Sequence, residues 1–515
     1  MPSKVFSAAP VGLSGQIIEV ETDVHYGLRC FNIVGLPDKS VEESKERVGS
    51  AIKSSRFQSP FQQPERILVN LAPADLKKEG ALYDLPIAIG YLSASGQIKF
   101  NPQKKVIIGE LSLDGVLRPI KGVLPLALAA IEQDMEEIIL PKANAAEASL
   151  VLAENADKEN SFKIIAINSL KEAVNYLEGK IIIAPFSASP EIFTEKPSYG
   201  ADLGWIKGQE SAKRALEIAA AGGHNILMQG PPGSGKSLLA NSLPSILPEL
   251  SFNESLEVTK IYSIAGLLPE KNPLIKIRPF RSPHHTTSEV ALIGGGNPPK
   301  PGEITLSHRG VLFLDEFPEF HRDVLESLRQ PLEDGKISIL RSGSHFTFPC
   351  RFILAAAANP CPCGYYKNPE RHCRCIGSQI SMYRRKLSGP LIDRIDIFID
   401  VPNLTFEKLT SIDEENTSEK IKKRVVKTRK IQTERLRQDK ILINSEMQIP
   451  QIKKYCQIDS RAQSVLKQFV DSGKLSARGY HRVLKIARTI ADLENSENIS
   501  YDNLSEALMY RAHED

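Results

Sequence analysis

The chain has few of the features that would set it apart from ordinary globular proteins. Its 515 residues contain no apolar run of about 18 residues, so the sequence predicts no membrane-spanning helix and no membrane partner. The first residues lack an apolar core followed by a small-residue cleavage site, and we therefore expect a cytoplasmic protein. The net charge is only +3 and aromatic residues make up 6% of the chain, so any surface for nucleic acid has to be local.

Cysteine is also scarce, but its distribution is uneven. The chain has seven cysteines, and four of them lie close together, at Cys361, Cys363, Cys373 and Cys375. Four thiolates can complete a tetrahedral shell, so this cluster predicts a structural Zn²⁺ site. The two C-x-C pairs are tighter than the common C-x₂-C spacing, which leaves His372 or Cys350 as a substitute ligand and a metal-free loop of reduced cysteines as the alternative.

A glycine-rich segment carries the most specific chemistry. It consists of Gly230, Pro231, Pro232, Gly233, Ser234, Gly235, Lys236 and Ser237, and it follows the short apolar run 226–228. This is the complete pattern of a phosphate-binding loop between a strand and a helix. Backbone amides would hold the α- and β-phosphates, Lys236 would reach the β- and γ-phosphates, and Ser237 would ligate Mg²⁺.

Two further apolar runs end in polar residues suited to nucleotide hydrolysis. The run 310–314 ends in Asp315 and Glu316. An aspartate there can hold Mg²⁺, and the adjacent glutamate can orient and deprotonate water. The run 352–358 ends in Asn359, whose amide could hold the attacking water, although a lone asparagine is more often a turn former.

An arginine follows these motifs at a position where a neighbouring subunit's nucleotide could be reached. Arg394 comes at the end of a predicted helix and before the predicted strand 395–401. An arginine supplied in trans stabilises the charge on a transferring phosphoryl group. The alternative is an ordinary salt bridge with Asp393 or Asp396.

The order of elements predicts a multidomain α/β protein. Residues 1–182 alternate β-rich and helical stretches, and a Pro- and Ser-rich linker follows at 183–200. Residues 201–402 alternate strands and helices as a doubly wound parallel sheet does, and 403–515 have apolar residues at helical spacing, which predicts an all-helical domain.

The ordered motifs resemble those of the AAA+ ATPases. Segments 281–285, 292–297, 301–304, 307–316 and 476–484 are similar to the magnesium chelatase-like branch, and within it to the ComM/YifB family, over essentially the whole chain. The resemblance implies ATP and Mg²⁺ as ligands and a homo-oligomeric, hexameric ring. It also implies a DNA helicase that migrates branched recombination intermediates during natural transformation, with recombination proteins as partners. It assigns Arg394 as the trans arginine and Arg478 as the lid arginine that senses nucleotide, with Arg482 as an alternative.

The first domain resembles the Lon protease fold through segments 35–37, 69–77 and 109–115. A Lon-type peptidase needs a serine nucleophile and a lysine. The expected serine position is occupied by Leu82 or Tyr83, and the lysine position by Leu124. We therefore expect a non-catalytic domain and no protease activity.

Two stretches are candidates for contact with DNA. The insertion 281–303 carries Lys300 among glycines and prolines, and the resemblance places it in the pore of a ring, whereas the alternative is a purely structural elaboration. The run 422–440 has nine Lys or Arg residues against two acids, and a solvated helix face explains it equally well. Two other functions stay open, namely an ATPase subunit of a metal (magnesium) chelatase and a DNA-binding scaffold without motor activity.

Overall fold

The computed structural model describes residues 2–154, 162–187, 200–269, 272–297, 299–341, 344–368, 371–386, 389, 391–404, 417–473 and 475–511. Residues 188–199 of the predicted linker lie outside these ranges, and so does part of the helix predicted before Arg394. Within the described ranges, no helix combines the length and the apolar character needed to cross a lipid bilayer.

The N-terminal part is built on a seven-stranded mixed sheet with the order β3-β4-β2-β1-β5-β8-β9. Its strands and the small hairpin β6-β7 are β1 (Ser3–Val11), β2 (Ser14–Tyr26), β3 (Cys30–Val34), β4 (Glu65–Ala72), β5 (Lys105–Ile107), β6 (Glu110–Leu111), β7 (Leu117–Arg118), β8 (Glu137–Pro141) and β9 (Lys163–Ile167). The helices are α1 (Lys39–Glu42), α2 (Ser44–Ser54), α3 (Asp84–Ala94), α4 (Val123–Glu132), α5 (Ala145–Glu154) and α6 (Leu170–Leu177).

Alternation in β2 shows why this sheet forms. Ile18, Val20 and Thr22 are buried, and the residues between them are not. Because side chains alternate between the two faces of a strand, this pattern gives the sheet one buried face, on which α3 and α4 pack. The first helical stretch is interrupted at Glu43, which lies between the end of α1 and the start of α2.

The central part contains a five-stranded parallel sheet with the order β11-β14-β17-β10-β18. Its elements are α7 (Glu210–Gly222), β10 (Ile226–Gln229), α8 (Lys236–Ile246), α9 (Phe252–Ala265), β11 (Phe280–Arg281), α10 (Glu289–Ile293), β12 (Gly294–Gly295), β13 (Lys300–Pro301), α11 (Glu303–Leu306), β14 (Val311–Leu314), α12 (Arg322–Ser327), α13 (Arg329–Asp334), β15 (Lys336–Arg341), β16 (Ser344–Pro349), β17 (Ile353–Ala358), α14 (Gly377–Lys386) and β18 (Ile397–Asp400). β14 and β17 are fully buried, as expected for a parallel sheet covered on both faces. The predicted α/β class with a parallel sheet is confirmed.

The C-terminal part is helical, as the spacing of its apolar residues predicts. The helices are α15 (Ser418–Leu436), α16 (Ile449–Tyr455), α17 (Ser460–Asp471), α18 (Ala477–Leu493) and α19 (Tyr501–Met509). In α18, Val483, Ile486, Ala487 and Ile490 are buried. They share one hydrophobic core with α7 and β10 of the central part. The helical region therefore packs directly against the central part.

The basic run 422–440 forms most of α15, and much of its charge is used within the chain. Lys422 pairs with Glu249, Arg424 with Glu217 and Arg435 with Asp492. Arg429 donates to the carbonyl of Ala220. These contacts favour the structural interpretation of the run over a DNA-binding surface.

A buried contact joins the N-terminal and central parts. Glu147 on α5 accepts hydrogen bonds from the Leu124 amide at the start of α4 and from the Ser263 hydroxyl on α9. The Gly122 amide donates to the Ser263 carbonyl. Burial raises the pKa of Glu147, and these donors oppose that rise. Leu256 of α9 belongs to the N-terminal core, so the two parts are continuous at this helix.

Candidate functional site

The glycine-rich segment forms a tight loop between β10 and α8. Gly233 and Gly235 adopt φ angles of +80° and +93°, which glycine populates readily and other residues rarely. A Cβ on Gly230 would lie 2.2 Å from the Val401 carbonyl oxygen, so this position also needs glycine. The loop is therefore a tight glycine turn directly before the N-terminus of α8, which is the arrangement that binds phosphate.

The Lys236 ammonium group points back into this loop. It donates to the Gly230 carbonyl at 2.8 Å, to the Pro231 carbonyl at 2.9 Å and to the Asn359 amide oxygen at 3.3 Å. Burial lowers the pKa of Lys236, and the charge of Asp315 opposes this shift. The predicted lysine and the predicted asparagine are thus brought together, although the two are 123 positions apart in the chain.

The two predicted Mg²⁺ ligands also meet. The Ser237 hydroxyl donates to Asp315 Oδ2 at 2.7 Å. Their elements are brought together because β14, β17 and β10 are neighbours in a parallel sheet, and their carboxyl ends lie on the same edge. An alcohol and a carboxylate oxygen are the hard ligands that Mg²⁺ prefers, so these residues fit the ion that the sequence predicts.

Glu316 has an unusual backbone and a partner that sequence reasoning did not identify. Its φ is +50°, in the left-handed region, and such strain is concentrated at functional sites. Its Oε2 lies 3.3 Å from Nδ1 of His285. The carboxylate is about half exposed, with a relative accessibility of 56%, so water can reach it.

His285 belongs to the segment 281–285, for which the sequence predicted no role in hydrolysis. Its ring packs against His284 in a tilted arrangement, with centroids 4.1 Å apart, and makes an edge contact with Phe320. Its place between two aromatic rings fixes its orientation toward Glu316. The two adjacent histidines in 281–285 are visible in the sequence, but nothing in their spacing points to Glu316.

Arg394 pairs within this chain with an acid outside the phosphate loop. It is in a short 3₁₀ turn, Ile392–Arg394, and its side chain is 8% exposed. Its guanidinium pairs with Glu333 at 2.5 Å, and not with Asp393 or Asp396, the partners considered from the sequence. The trans role of Arg394 stays a prediction, and in that role the arginine would have to exchange Glu333 for phosphate.

The two arginines considered for the lid differ clearly in their surroundings. Arg478 is exposed in the first turn of α18. Arg482, one turn later, forms an ion pair with the buried Asp396 and also donates to the Arg394 carbonyl. Burial would raise the pKa of Asp396, but Arg482 and His224 hold it well below its usual range. Arg482 is therefore tied into a structural network, which leaves Arg478 as the arginine available to a ligand.

The insertion 281–303 is anchored at its base and near its tip. Arg281 makes a bidentate ion pair with Glu303, at 2.6 and 2.7 Å. Lys77 of the N-terminal part donates to the carbonyl of Asn297 at 3.0 Å. Lys300 itself is exposed, and its contact with DNA stays a prediction.

The four clustered cysteines converge on a single point. Their Sγ atoms all lie within 4.8 Å of one another, with 3.4 Å between Cys361 and Cys363 and 3.5 Å between Cys363 and Cys373. Thiolates around tetrahedral Zn²⁺ are about 3.8 Å apart, given Zn–S bonds of about 2.3 Å. The backbone amides of Arg374 and Tyr365 lower the pKa of Cys363, whereas burial raises the pKa of Cys375, so the match to zinc rests on the positions of the four sulfur atoms. The donor set therefore fits zinc.

The substitute ligands considered from the sequence are not needed. Cys350 is buried elsewhere, with its Sγ against the Pro331 carbonyl, and burial raises its pKa to about 12. His372 is exposed and is not among the four ligand groups that converge.

Comparison with known families agrees with this architecture. Residues 202–409 match the model described as magnesium chelatase, subunit ChlI, and residues 415–511 match the C-terminal model of the same subunit. Residues 20–144 match a third model, described as subunit ChlI of Mg-chelatase. None of these models bears on the resemblance of the first domain to Lon, which stays a prediction.

Comparison with individual proteins gives matches over the whole chain. Competence protein ComM of Haemophilus influenzae is 43% identical over 516 residues, which cover 99% of this chain and 97% of that protein. The uncharacterized protein YifB of Escherichia coli is 40% identical over 512 residues, with 99% and 97% covered. The magnesium-chelatase 38 kDa subunit of Rhodobacter capsulatus is 26% identical over 173 residues, which cover 30% of this chain and 49% of that subunit. With full-length relatives at this identity, the chain belongs to the ComM/YifB family of magnesium chelatase-like AAA+ proteins.

Proposed function

We propose that the chain is an ATP-driven, ring-forming motor that moves on DNA and migrates branched recombination intermediates. The observation that carries the proposal is the convergence of Lys236, Ser237, Asp315 and Asn359 at one edge of the parallel sheet. A relative of nearly equal length carries the name competence protein, which supports a role in the integration of DNA during transformation.

In the proposed cycle, the loop amides and Lys236 bind the phosphates of ATP, while Ser237 and Asp315 hold Mg²⁺. When bound, Mg²⁺ supplies positive charge that offsets the charge developing on the phosphoryl oxygens. Glu316 accepts a proton from a water molecule that Asn359 positions. The water oxygen bonds to the γ-phosphorus as the bond to the ADP oxygen breaks.

Hydrolysis in this proposal depends on assembly of the ring. Arg394 of one subunit exchanges its partner Glu333 for the γ-phosphate of the neighbour's ATP, and Arg478 reports the change to the helical domain. An arginine supplied in trans accelerates phosphoryl transfer by about 10³-fold or more in related systems. The four cysteines would hold a structural Zn²⁺, which would fix the loop between Asn359 and α14.

The chelatase alternative has weaker support. Among individual proteins, the magnesium-chelatase 38 kDa subunit of Rhodobacter capsulatus matches only 30% of this chain, whereas the ComM and YifB matches cover nearly all of it. A DNA-binding scaffold would not need Glu316 in a strained conformation beside His285.

The test is branch migration of a synthetic four-way DNA junction by the purified protein. We expect resolution of the junction arms with ATP and none with the Lys236→Ala variant. The motor proposal is wrong if wild-type protein and the variant move the junction equally, or if neither does so although the wild-type protein hydrolyses ATP.

A further inference from the structure

The loop that carries the cysteines also carries a concentration of positive charge. Residues 361–386 contain six Lys or Arg residues and one acid, Glu370. Glu370 lies outside the described residues. The ratio of basic to acidic residues is six to one here and nine to two in the run 422–440. We refer to four of these cations as the basic patch, namely Lys367, Arg371, Arg374 and Arg384.

Aromatic rings and the cysteine cluster bring the basic patch together. Arg371 lies over the ring of Tyr365, 4.3 Å from its centroid, and donates to the hydroxyl of the same residue. Arg384 on α14 lies 4.8 Å from the centroid of Tyr366, and Lys367 lies 5.9 Å from the same centroid. Cations from the loop and from the following helix thus share one surface.

Arg374 is held at the same place by the cysteines on either side of it. Its backbone amide is a hydrogen-bond donor to Cys363, while Cys373 lies 3.5 Å from Cys363. Lys367, Arg371 and Arg374 are all exposed. The cluster therefore fixes the backbone, and the side chains remain available to a ligand.

The surface is in direct contact with the nucleotide site. A Cβ on Gly364 would lie 2.4 Å from Cδ of Pro232 in the phosphate loop, so the backbone of the cysteine-containing loop packs closely against that proline. Tyr383 on α14 is hydrogen-bonded to the backbone of Asn359. A ligand that pulls on this loop would therefore act on two elements of the nucleotide site.

We infer that the basic patch binds the phosphodiester backbone of nucleic acid and transmits that contact to the phosphate loop through Gly364 and Pro232. Exposed arginine and lysine interleaved with tyrosine is the combination found on surfaces that follow a nucleic-acid backbone without reading sequence. The inference rests on the proposed function and names the surface through which the motor holds its substrate.

The test compares two double variants of the full-length protein that each remove two positive charges. Lys367→Gln/Arg374→Gln changes the basic patch. Lys427→Gln/Lys430→Gln changes exposed lysines on α15 and serves as the matched control. Binding is measured by fluorescence anisotropy with labelled oligothymidine and with a duplex of the same length, over a range of salt concentrations.

We expect the patch variant to bind at least one of the two DNAs about tenfold more weakly than wild type does, and the control variant to bind both as wild type does. The slope of log affinity against log salt should fall by about 1.4 for the single strand, since two phosphate contacts are lost. The DNA that shows the larger loss of affinity, single-stranded or duplex, is the form that the basic patch binds. Arg384→Gln, outside the cysteine-containing loop, should weaken binding in the same direction and guards against local misfolding of the double variant.

Equal binding by the patch variant and wild type would overturn the inference while leaving the proposed function intact. A change in oligomeric state without DNA, seen by light scattering in the patch variant alone, would overturn it in favour of a contact between subunits. Absence of DNA binding by the wild-type protein would instead contradict the proposed function itself.

Discussion

At the scale of single residues, the site is defined by contacts between side chains that are distant in sequence. The 2.7 Å hydrogen bond from Ser237 to Asp315 and the 3.3 Å contact of Lys236 with Asn359 each join two separate motifs. Their residue types and order could be predicted from the sequence, because a phosphate loop requires glycine, lysine and serine at fixed positions. The contacts themselves follow from strand order in the parallel sheet.

His285 provides the sharpest prediction at this scale. Its Nδ1 lies 3.3 Å from Glu316, so we expect it to orient the carboxylate that accepts the proton from water. His285→Ala should lower kcat for ATP roughly tenfold with little change in KM, because a misoriented base affects the chemical step and not nucleotide binding. Steady-state ATP turnover measures both constants.

The matched control is His345→Ala, which removes an exposed histidine from β16. That variant should turn over ATP as wild type does. A His285→Ala enzyme with unchanged kcat would show that the contact with Glu316 has no role in hydrolysis.

His285 could not have been found by pattern alone, and the reason is physical. A histidine followed by threonines has no characteristic spacing to an acidic pair 30 positions later. Only the pairing of β11 with β14 places the segment after Arg281 beside the end of β14. Sequence motifs identify residues that are adjacent in the chain, whereas this contact depends on the register of two strands.

At the scale of elements, α18 separates two roles that the sequence could not assign. Arg478 and Arg482 are one turn apart and lie near the same face of the helix. The ion pair of Arg482 with Asp396 decides between them, because a side chain engaged in a buried network is not available to a nucleotide. The sequence predicted the helix but not the partners of its arginines.

We therefore predict that substitution of Arg478 affects ATP turnover and that substitution of Arg482 affects stability. Arg478→Ala should lower ATP turnover about tenfold and leave the midpoint of thermal unfolding unchanged. Arg482→Ala should lower that midpoint, because it leaves Asp396 buried without its cation, a change that costs about 3 kcal/mol. Calorimetry and ATP turnover on the same preparations check both; a destabilised Arg478→Ala protein with normal turnover would reverse the assignment.

The cysteine-containing loop is the second element for which the structure narrows the alternatives. Cys361, Cys363, Cys373 and Cys375 converge, and Cys350 does not. Purified protein should contain about one zinc per chain, and Cys363→Ser/Cys373→Ser should contain none. Metal analysis of the two proteins, with Cys30→Ser as the control for loss of an unrelated cysteine, tests this prediction, and a metal-free wild-type protein would refute it.

At the scale of the whole molecule, the parts were easier to predict than the way they join. The parallel sheet and the helical domain follow from buried strand runs and from apolar residues at helical spacing. The contact of Glu147 with Ser263 does not, because a buried carboxylate across a domain junction has no sequence signature. The basic run 422–440 shows the same limit, since Lys422, Arg424 and Arg435 pair with acids more than 50 positions away.

The same junction bears on the proposed motor. The N-terminal core includes Leu256 and Leu274, which follow the phosphate loop in sequence. Lys77 holds the insertion at Asn297. The N-terminal part is thus attached both to α9 and to the insertion that contains His285, so a change at the proposed nucleotide site has a direct structural route to the N-terminal part.

The central claim is that this site hydrolyses ATP and that DNA controls the reaction. The most direct test is steady-state ATP turnover by the purified full-length protein, with and without single-stranded DNA, beside the Glu316→Gln variant. We predict turnover that DNA stimulates severalfold in the wild type, and a loss of at least about 100-fold in the variant. Turnover that is independent of DNA, or equal in wild type and Glu316→Gln, would contradict the account.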